Sequence, residues 1–79
     1  MASLKVHITF PETKIKDPVI YQISHEYKVI TNIRRADVTA KTGWMDVELT
    51  GDAAEIERAI AGLKAKGVKV DPIERNIVE

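Results

Sequence analysis

The chain has 79 residues, 12 basic and 12 acidic side chains and no cysteine; that length makes one small domain with a single modest core. Its 44% apolar and 30% charged composition argues against disorder, and its zero net charge argues against a phosphate-dominated partner such as nucleic acid. The absence of cysteine removes disulfides, zinc–thiolate sites, cysteine-held iron–sulfur clusters and thiol nucleophiles from these residues, and no apolar run approaches the roughly 18 residues that span a membrane.

The N-terminus lacks the apolar stretch of a signal peptide, so a soluble, cytoplasmic protein without membrane insertion is expected. Residues 4–10 alternate strictly. Leu4, Val6, Ile8 and Phe10 share one face, and Lys5, His7 and Thr9 the other, the pattern of a half-buried strand that Pro11 ends. A polar, lysine-rich loop follows. Asp17 and Pro18 predict a helix start over 17–27, with Asp17 as cap and Pro18 in the first helical position. Val19, Ile20, Ile23 and Tyr27 fall on its apolar face.

Residues 28–41 predict a long strand in which the parity changes. Val29, Thr31 and Ile33 share one parity and Ala36, Val38 and Ala40 the other, so a bulge is expected near Arg34 and Arg35. Residues 41–43 predict a hairpin turn, with Gly43 free to take a positive φ. Residues 44–50 alternate again, with Met45, Val47 and Leu49 opposed to Trp44, Asp46, Glu48 and Thr50.

Asp52 to Glu55 has capping-box spacing. Ile56, Ala59, Ile60 and Leu63 then mark a second amphipathic helix, with Gly67 as its C-terminal glycine. Val68 and Val70 belong to a last strand that Pro72 stops or places at an edge. The order β-α-β-β-α-β predicts an α+β, ferredoxin-like sandwich: a four-stranded antiparallel sheet with both helices on one face and strands one and three central. One domain spans 1–79, with a core over about 4–74 and a short tail at 75–79.

No catalytic set is visible. His7 and His25 lack the spacing of metal ligands, and no nucleophile elbow, phosphate loop or dinucleotide fingerprint occurs. The expectation is no enzyme, no metal and no cofactor. An RNA-binding sheet of this kind stacks bases on central aromatics. Here Trp44 is followed on the same face by Asp46 and Glu48, which would repel phosphate, so Trp44 reads as an interface or edge-packing residue. Asn32 is out of place in a β-branched run. Its amide either holds a ligand or satisfies backbone groups at the bulge. Arg34 and Arg35 offer an anion or partner contact, or ordinary surface ion pairs.

The segments in this order resemble the NIL domain. The resemblance runs from Leu4 to about Glu74. It is carried by Thr9-Phe10, Pro18-Val19-Ile20, Tyr27-x-Val29, Asn32-Ile33, Ala36-x-Val38, Gly43-Trp44-x-x-Val47-Glu48-Leu49-x-Gly51, Ala59-Ile60-x-x-Leu63 and Gly67-Val68-x-Val70. No single landmark is specific; their order and spacing are. The family is known as the C-terminal regulatory domain of methionine importer ATPases, where it pairs with a second copy and binds methionine near the shared interface. It also occurs fused to ferredoxin modules and as free-standing proteins.

The resemblance implies a small-molecule-binding regulatory module. It would sense an amino acid or sulfur metabolite as a homodimer, with Asn32 and Ile33 lining the site and Phe10 and Pro11 as further candidates. This chain has Asn32-Ile33-Arg34 where the family's namesake motif ends in leucine, and arginine there suits a more polar or anionic ligand. The Arg34-Arg35 pair, Trp44 and the closing residues are nearer the ferredoxin-fused or free-standing branch. The chain is then either a free-standing relative or a piece ending before a cluster module. The alternative function is an interaction or electron-transfer accessory domain. It would dock a ferredoxin module, a transporter or a sulfur-metabolism enzyme through Arg34, Arg35 and Trp44.

Overall fold

A computed structural model describes residues 2–15 and 17–77, and side-chain environments as far as residue 73. Strand β1 is Ala2–Phe10, helix α1 Val19–Glu26, strand β2 Val29–Val38, strand β3 Gly43–Gly51, helix α2 Ala53–Ala65 and strand β4 Lys69–Ile77. A short 3-10 turn at Glu12–Lys14 lies between β1 and α1. The sheet order is β2-β3-β1-β4, and every neighbouring pair is antiparallel. The expected ferredoxin-like α+β architecture is therefore present, with strands one and three central.

The alternation of β1 explains why the helices lie on one side. Ala2, Leu4, Val6, Ile8 and Phe10 are buried, while Ser3, Lys5, His7 and Thr9 are half-buried on the opposite, open face. Val19 and Ile23 of α1 and Ile56, Ala59, Ile60 and Leu63 of α2 close over the buried row, joined by Val47, Leu49, Val68 and Val70. The bulge expected in the second strand is there: the β2–β3 register shifts between Ile33 and Arg35. Arg34 is the extra residue.

Several local expectations resolve differently. Strand β1 begins at Ala2, α1 is shorter than 17–27, and β2 ends at Val38 rather than 41. Pro18 is the N-cap of α1 rather than its first helical residue, and no side chain caps it. The Asp17 carboxylate instead lies 3.7 Å from Lys14 Nζ. Gly43 needs no positive φ; among the described residues only Gly67 has one, at 91°. The hairpin is closed by Thr39, whose N–H donates to the Thr42 carbonyl at 2.7 Å and whose Oγ1 accepts from Thr42 N–H at 3.0 Å. Of the two expectations for Pro72, the edge holds: β4 is an edge strand that passes Pro72, with a register shift opposite Lys5 and Val6, and runs to Ile77. Of the expected tail, residues 78–79 lie outside the described residues.

The capping box is also not formed. Asp52 occupies the N-cap of α2 but makes no side-chain capping bond. Glu55 turns elsewhere, accepting from Lys28 N–H at 2.8 Å and from Arg58 Nη1 at 2.8 Å. Lys28 sits between α1 and β2, where neither ladder supplies an acceptor, so the carboxylate answers a backbone need at the corner. That backbone bond, followed by the Arg58 charge, holds the Glu55 carboxyl below its ordinary range.

The same corner is pinned by packing. Arg58 lies 5.6 Å from the Tyr27 ring centre, and the ring rests on Gly62 of α2. A Cβ at Gly62 would come within 2.5 Å of Tyr27 Oη and 2.7 Å of Cε2. An interior helical glycine replaced by alanine normally gains about 1 kcal/mol. Here the overlap outweighs that gain, and Gly62→Ala is expected to lower stability by about 1–3 kcal/mol in urea denaturation. A stabilised variant would show that the Tyr27 ring swings aside freely.

Candidate functional site

Two places on the molecule carry more than structural side chains. The first is a cavity where β1 ends and α1 begins. Phe10, Ile15, Val19, Ile20, Val38 and Met45 supply its apolar wall, and its volume is about 100 Å³. Phe10 and Val19 are core residues, so the floor is fixed by packing. Val38 is different: it is the last residue of β2, 47% exposed. The cavity therefore opens at the free edge of the sheet.

That edge is unusual for its length. Strand β2 has ten residues and a partner on one side only. Ile30, Ile33 and Val38 along it are exposed, Ile33 at 49%. A long edge with apolar side chains and unpaired backbone groups is a surface that another chain can pair with. The opposite edge, β4, is protected: it carries Lys69, Asp71, the N–H-lacking Pro72 and an irregularity.

The second place is on the open face. The β1–β3 register sets His7 opposite Asp46, and the bulge in β2 sets Arg35 opposite Asp46 from the other side. His7 Nδ1 is 2.6 Å from Asp46 Oδ1, and Arg35 Nε and Nη2 donate to Asp46 Oδ2 at 3.2 and 2.9 Å. An ionised carboxylate only accepts, so His7 Nδ1 carries the proton and donates it. The Trp44 ring stacks on His7 with centres 5.3 Å apart, and the Arg35 guanidinium carbon is 5.8 Å from the indole centre. Asp46 is only 8% exposed although it lies on the solvent side of the sheet, because these three side chains cover it. The His7 bond, then the Arg35 bond, holds the Asp46 carboxyl below its ordinary value of 3.8.

The residues singled out from the sequence fall in three groups. Arg35 and Trp44 come together on the open face with Arg34 beside them, whose Nη1 is 3.8 Å from Glu48 Oε1. Asn32 and Ile33 lie in the middle of β2 on opposite faces, Asn32 opposite Glu48 and Ile33 opposite Val47. Among the described residues Asn32 makes no side-chain hydrogen bond, so it does not serve the bulge backbone. Phe10 lines the cavity; it pairs with Gly43, four residues along β3 from the level of Ile33. Pro11 is exposed, and its carbonyl accepts from Lys14 N–H at 2.8 Å in the 3-10 turn. Within one chain, Asn32 and Ile33 do not meet Phe10 and Pro11.

His7 and Asp46 were not among the sequence candidates. Their alternation placed both on a polar face, but nothing local sets the register of strands 39 residues apart. Among the described residues no group of three or more histidine, aspartate or glutamate side chains could hold a metal, and no helix is long and apolar enough to cross a membrane.

Because the folded-state value of Asp46 is lowered, the unfolded chain binds more protons at acid pH. The stabilisation is therefore complete above the ordinary aspartate value and drains as pH falls through the folded one. Asp46→Asn is expected to melt below the wild type at pH 7 and to close that gap as pH falls below about 4, measured by circular dichroism. A gap independent of pH would show that the His7 and Arg35 bonds contribute nothing specific to the ionised carboxylate.

Comparison with known proteins gives three findings. The family model described as the NIL domain matches residues 4–72. The C-terminal domain of an ABC transporter ATP-binding protein from Enterococcus faecalis superposes with a TM-score of 0.77 at 27% identity, covering 89% of this chain and 82% of that one. A de novo designed protein superposes with a TM-score of 0.63 at 16% identity, covering 99% and 98%, a likeness of fold alone. No curated protein matches the chain.

Proposed function

The chain belongs to the NIL domain family, and from that premise we propose that it is a cytoplasmic, non-catalytic regulatory module that binds an amino acid or sulfur metabolite where two copies meet. The observation that carries the reading is Val38, which is at once part of the cavity wall and part of the uncovered edge of β2. A cavity of about 100 Å³ falls well short of the roughly 300–1,000 Å³ of pockets that enclose a ligand. The missing wall has to come from something docked on that edge. A second copy, pairing its β2 antiparallel with this one, supplies it and covers Ile33 and Val38 together.

The better-guarded β4 edge favours a closed pair over an open filament, since β2, the edge with more exposed apolar residues among those described, is used up in the first contact. The apolar lining by Phe10, Ile15, Val19 and Met45 suits an aliphatic or thioether side chain. Asn32, whose amide makes no side-chain hydrogen bond among the described residues, lies on the same strand but faces the open side opposite Glu48, so the charged end of a ligand in this cavity would be met by other groups. The resemblance of the Enterococcus faecalis domain to this chain supports a transporter setting, in which ligand-dependent pairing would pass to an attached or neighbouring partner as a shift between two arrangements.

Titration calorimetry with methionine, homocysteine and related amino acids should give saturable heat. Val38→Asp, a change at an exposed position, should weaken that binding at least about tenfold, or 1.4 kcal/mol. It should also convert a dimer at about 100 μM chain to monomer in light scattering. The absence of heat at millimolar ligand, or full binding by a monomeric variant, would contradict the reading.

A further inference from the structure

Of the four glycines in the chain, three have a structural reason to be glycine. Gly67 takes a φ of 91°. At Gly51 a Cβ would lie 2.9 Å from the Lys28 carbonyl oxygen, and at Gly62 it would run into the Tyr27 ring. Gly43 has no such reason. Its φ is not positive. A Cβ there would meet Ile15 Cγ1 and Val38 Cγ1 at 3.6 Å and Phe10 Cβ at 3.7 Å, which is ordinary contact. Glycine in a strand is nevertheless destabilising relative to alanine, because it has more chain freedom to lose and no side chain to pack.

What Gly43 does is leave a place empty. The β1–β3 register sets it opposite Phe10, and the β2–β3 register sets it opposite Val38. The three therefore share the face that the helices cover. Towards the middle of the sheet, the row of Val6, Val47 and Ile33 is complete, and its central side chain is fully buried. In the row of Phe10, Gly43 and Val38 the centre is missing. Phe10, Ile15 and Val38, the nearest neighbours of a Gly43 Cβ, all line the cavity of about 100 Å³. Protein interiors keep few such voids, since each one forfeits contacts. Alanine would fit at Gly43, narrow this void and strengthen the strand, but the chain has glycine.

We propose that Gly43 is the specificity-determining residue of the cavity: its missing side chain makes room, between Phe10 and Val38, for the end of a ligand's aliphatic or thioether chain. This rests on the reading that the cavity takes a ligand at the β2 edge. A void of about 150 Å³ admits a benzene-sized solute. The part of a ligand that this smaller void encloses is therefore a short chain of a few atoms, not an aromatic ring.

The test compares wild type with Gly43→Ala. The melting temperature of the free chain should rise by about 2–6 °C. Light scattering at about 100 μM chain should show the dimer of wild type intact, because the added Cβ lies on the buried face and leaves the β2 backbone edge untouched. In calorimetry the variant should bind L-methionine at least about fivefold more weakly than wild type does. Its affinity for L-2-aminobutyrate, whose side chain is shorter, should change less than about twofold. Wild type should bind L-phenylalanine at least about fivefold more weakly than L-methionine.

A variant that melts at or below wild type would overturn the inference, because the glycine would then serve the backbone. Loss of the dimer, an equal loss of affinity for both aliphatic ligands, or phenylalanine binding as tightly as methionine would overturn it too. Methionine binding that the variant fully retains would remove this inference and leave the ligand reading standing. Wild type that binds none of the three amino acids at millimolar concentration would remove both.

Discussion

The constraint on which the rest depends is the pairing of β2 with β3. Both halves of β2 must follow the β3 ladder, yet their apolar side chains have opposite parity: Val29 and Ile33 before Arg34, Ala36 and Val38 after it. In a regular strand one half would turn its apolar row to solvent. One extra residue at Arg34 reconciles them. The consequences reach both surfaces of the sheet. On the open face, Arg35 arrives opposite Asp46 and completes the cluster with His7 and Trp44. On the helix side, Val38 returns to the apolar layer and becomes the rim of the cavity.

A second asymmetry lies between the two edges of the sheet. Strand β4 is guarded by Pro72, charged neighbours and an irregular register, whereas β2 presents ten residues and exposed Ile30, Ile33 and Val38. A domain of this size buries a limited fraction of its surface, and a partner on the β2 edge would add to its stability by mass action. The same contact would complete a cavity too small to hold a ligand alone. Pairing, stability and ligand binding are then linked through one strand.

Much of the fold was legible because its signals are local. The alternation of residues 4–10 and 44–50, the apolar faces of the two helices and the parity change within the second strand each lie inside a short window, and together they yield the sheet order and the bulge. The family resemblance also rested on many weak landmarks in order, and it holds over residues 4–72. What was not legible is non-local. Asp52 and Glu55 have the spacing of a capping box, but Lys28 N–H, 27 residues away, is the stronger claimant on Glu55. Gly43 looked like the turn residue, but the Thr39 hydroxyl closes the hairpin without it. His7 and Asp46 could be placed on polar faces, yet only the register of the central strands makes them partners. The candidate ligand residues show the same limit: Asn32 and Phe10 lie on opposite faces of the sheet, Asn32 opposite Glu48 and Phe10 in the buried row, which only the strand register reveals.

The central claim is that the free edge of β2 is an interface between copies, and amide hydrogen exchange along β2 tests it most directly. Exchange is compared at about 10 μM and about 1 mM chain, concentrations that bracket a mid-micromolar association. The account predicts that the outward-facing amides of residues 29–38 gain protection at the higher concentration, while those of β4 do not. Outward-facing β2 amides that exchange at the same fast rate at both concentrations would contradict it.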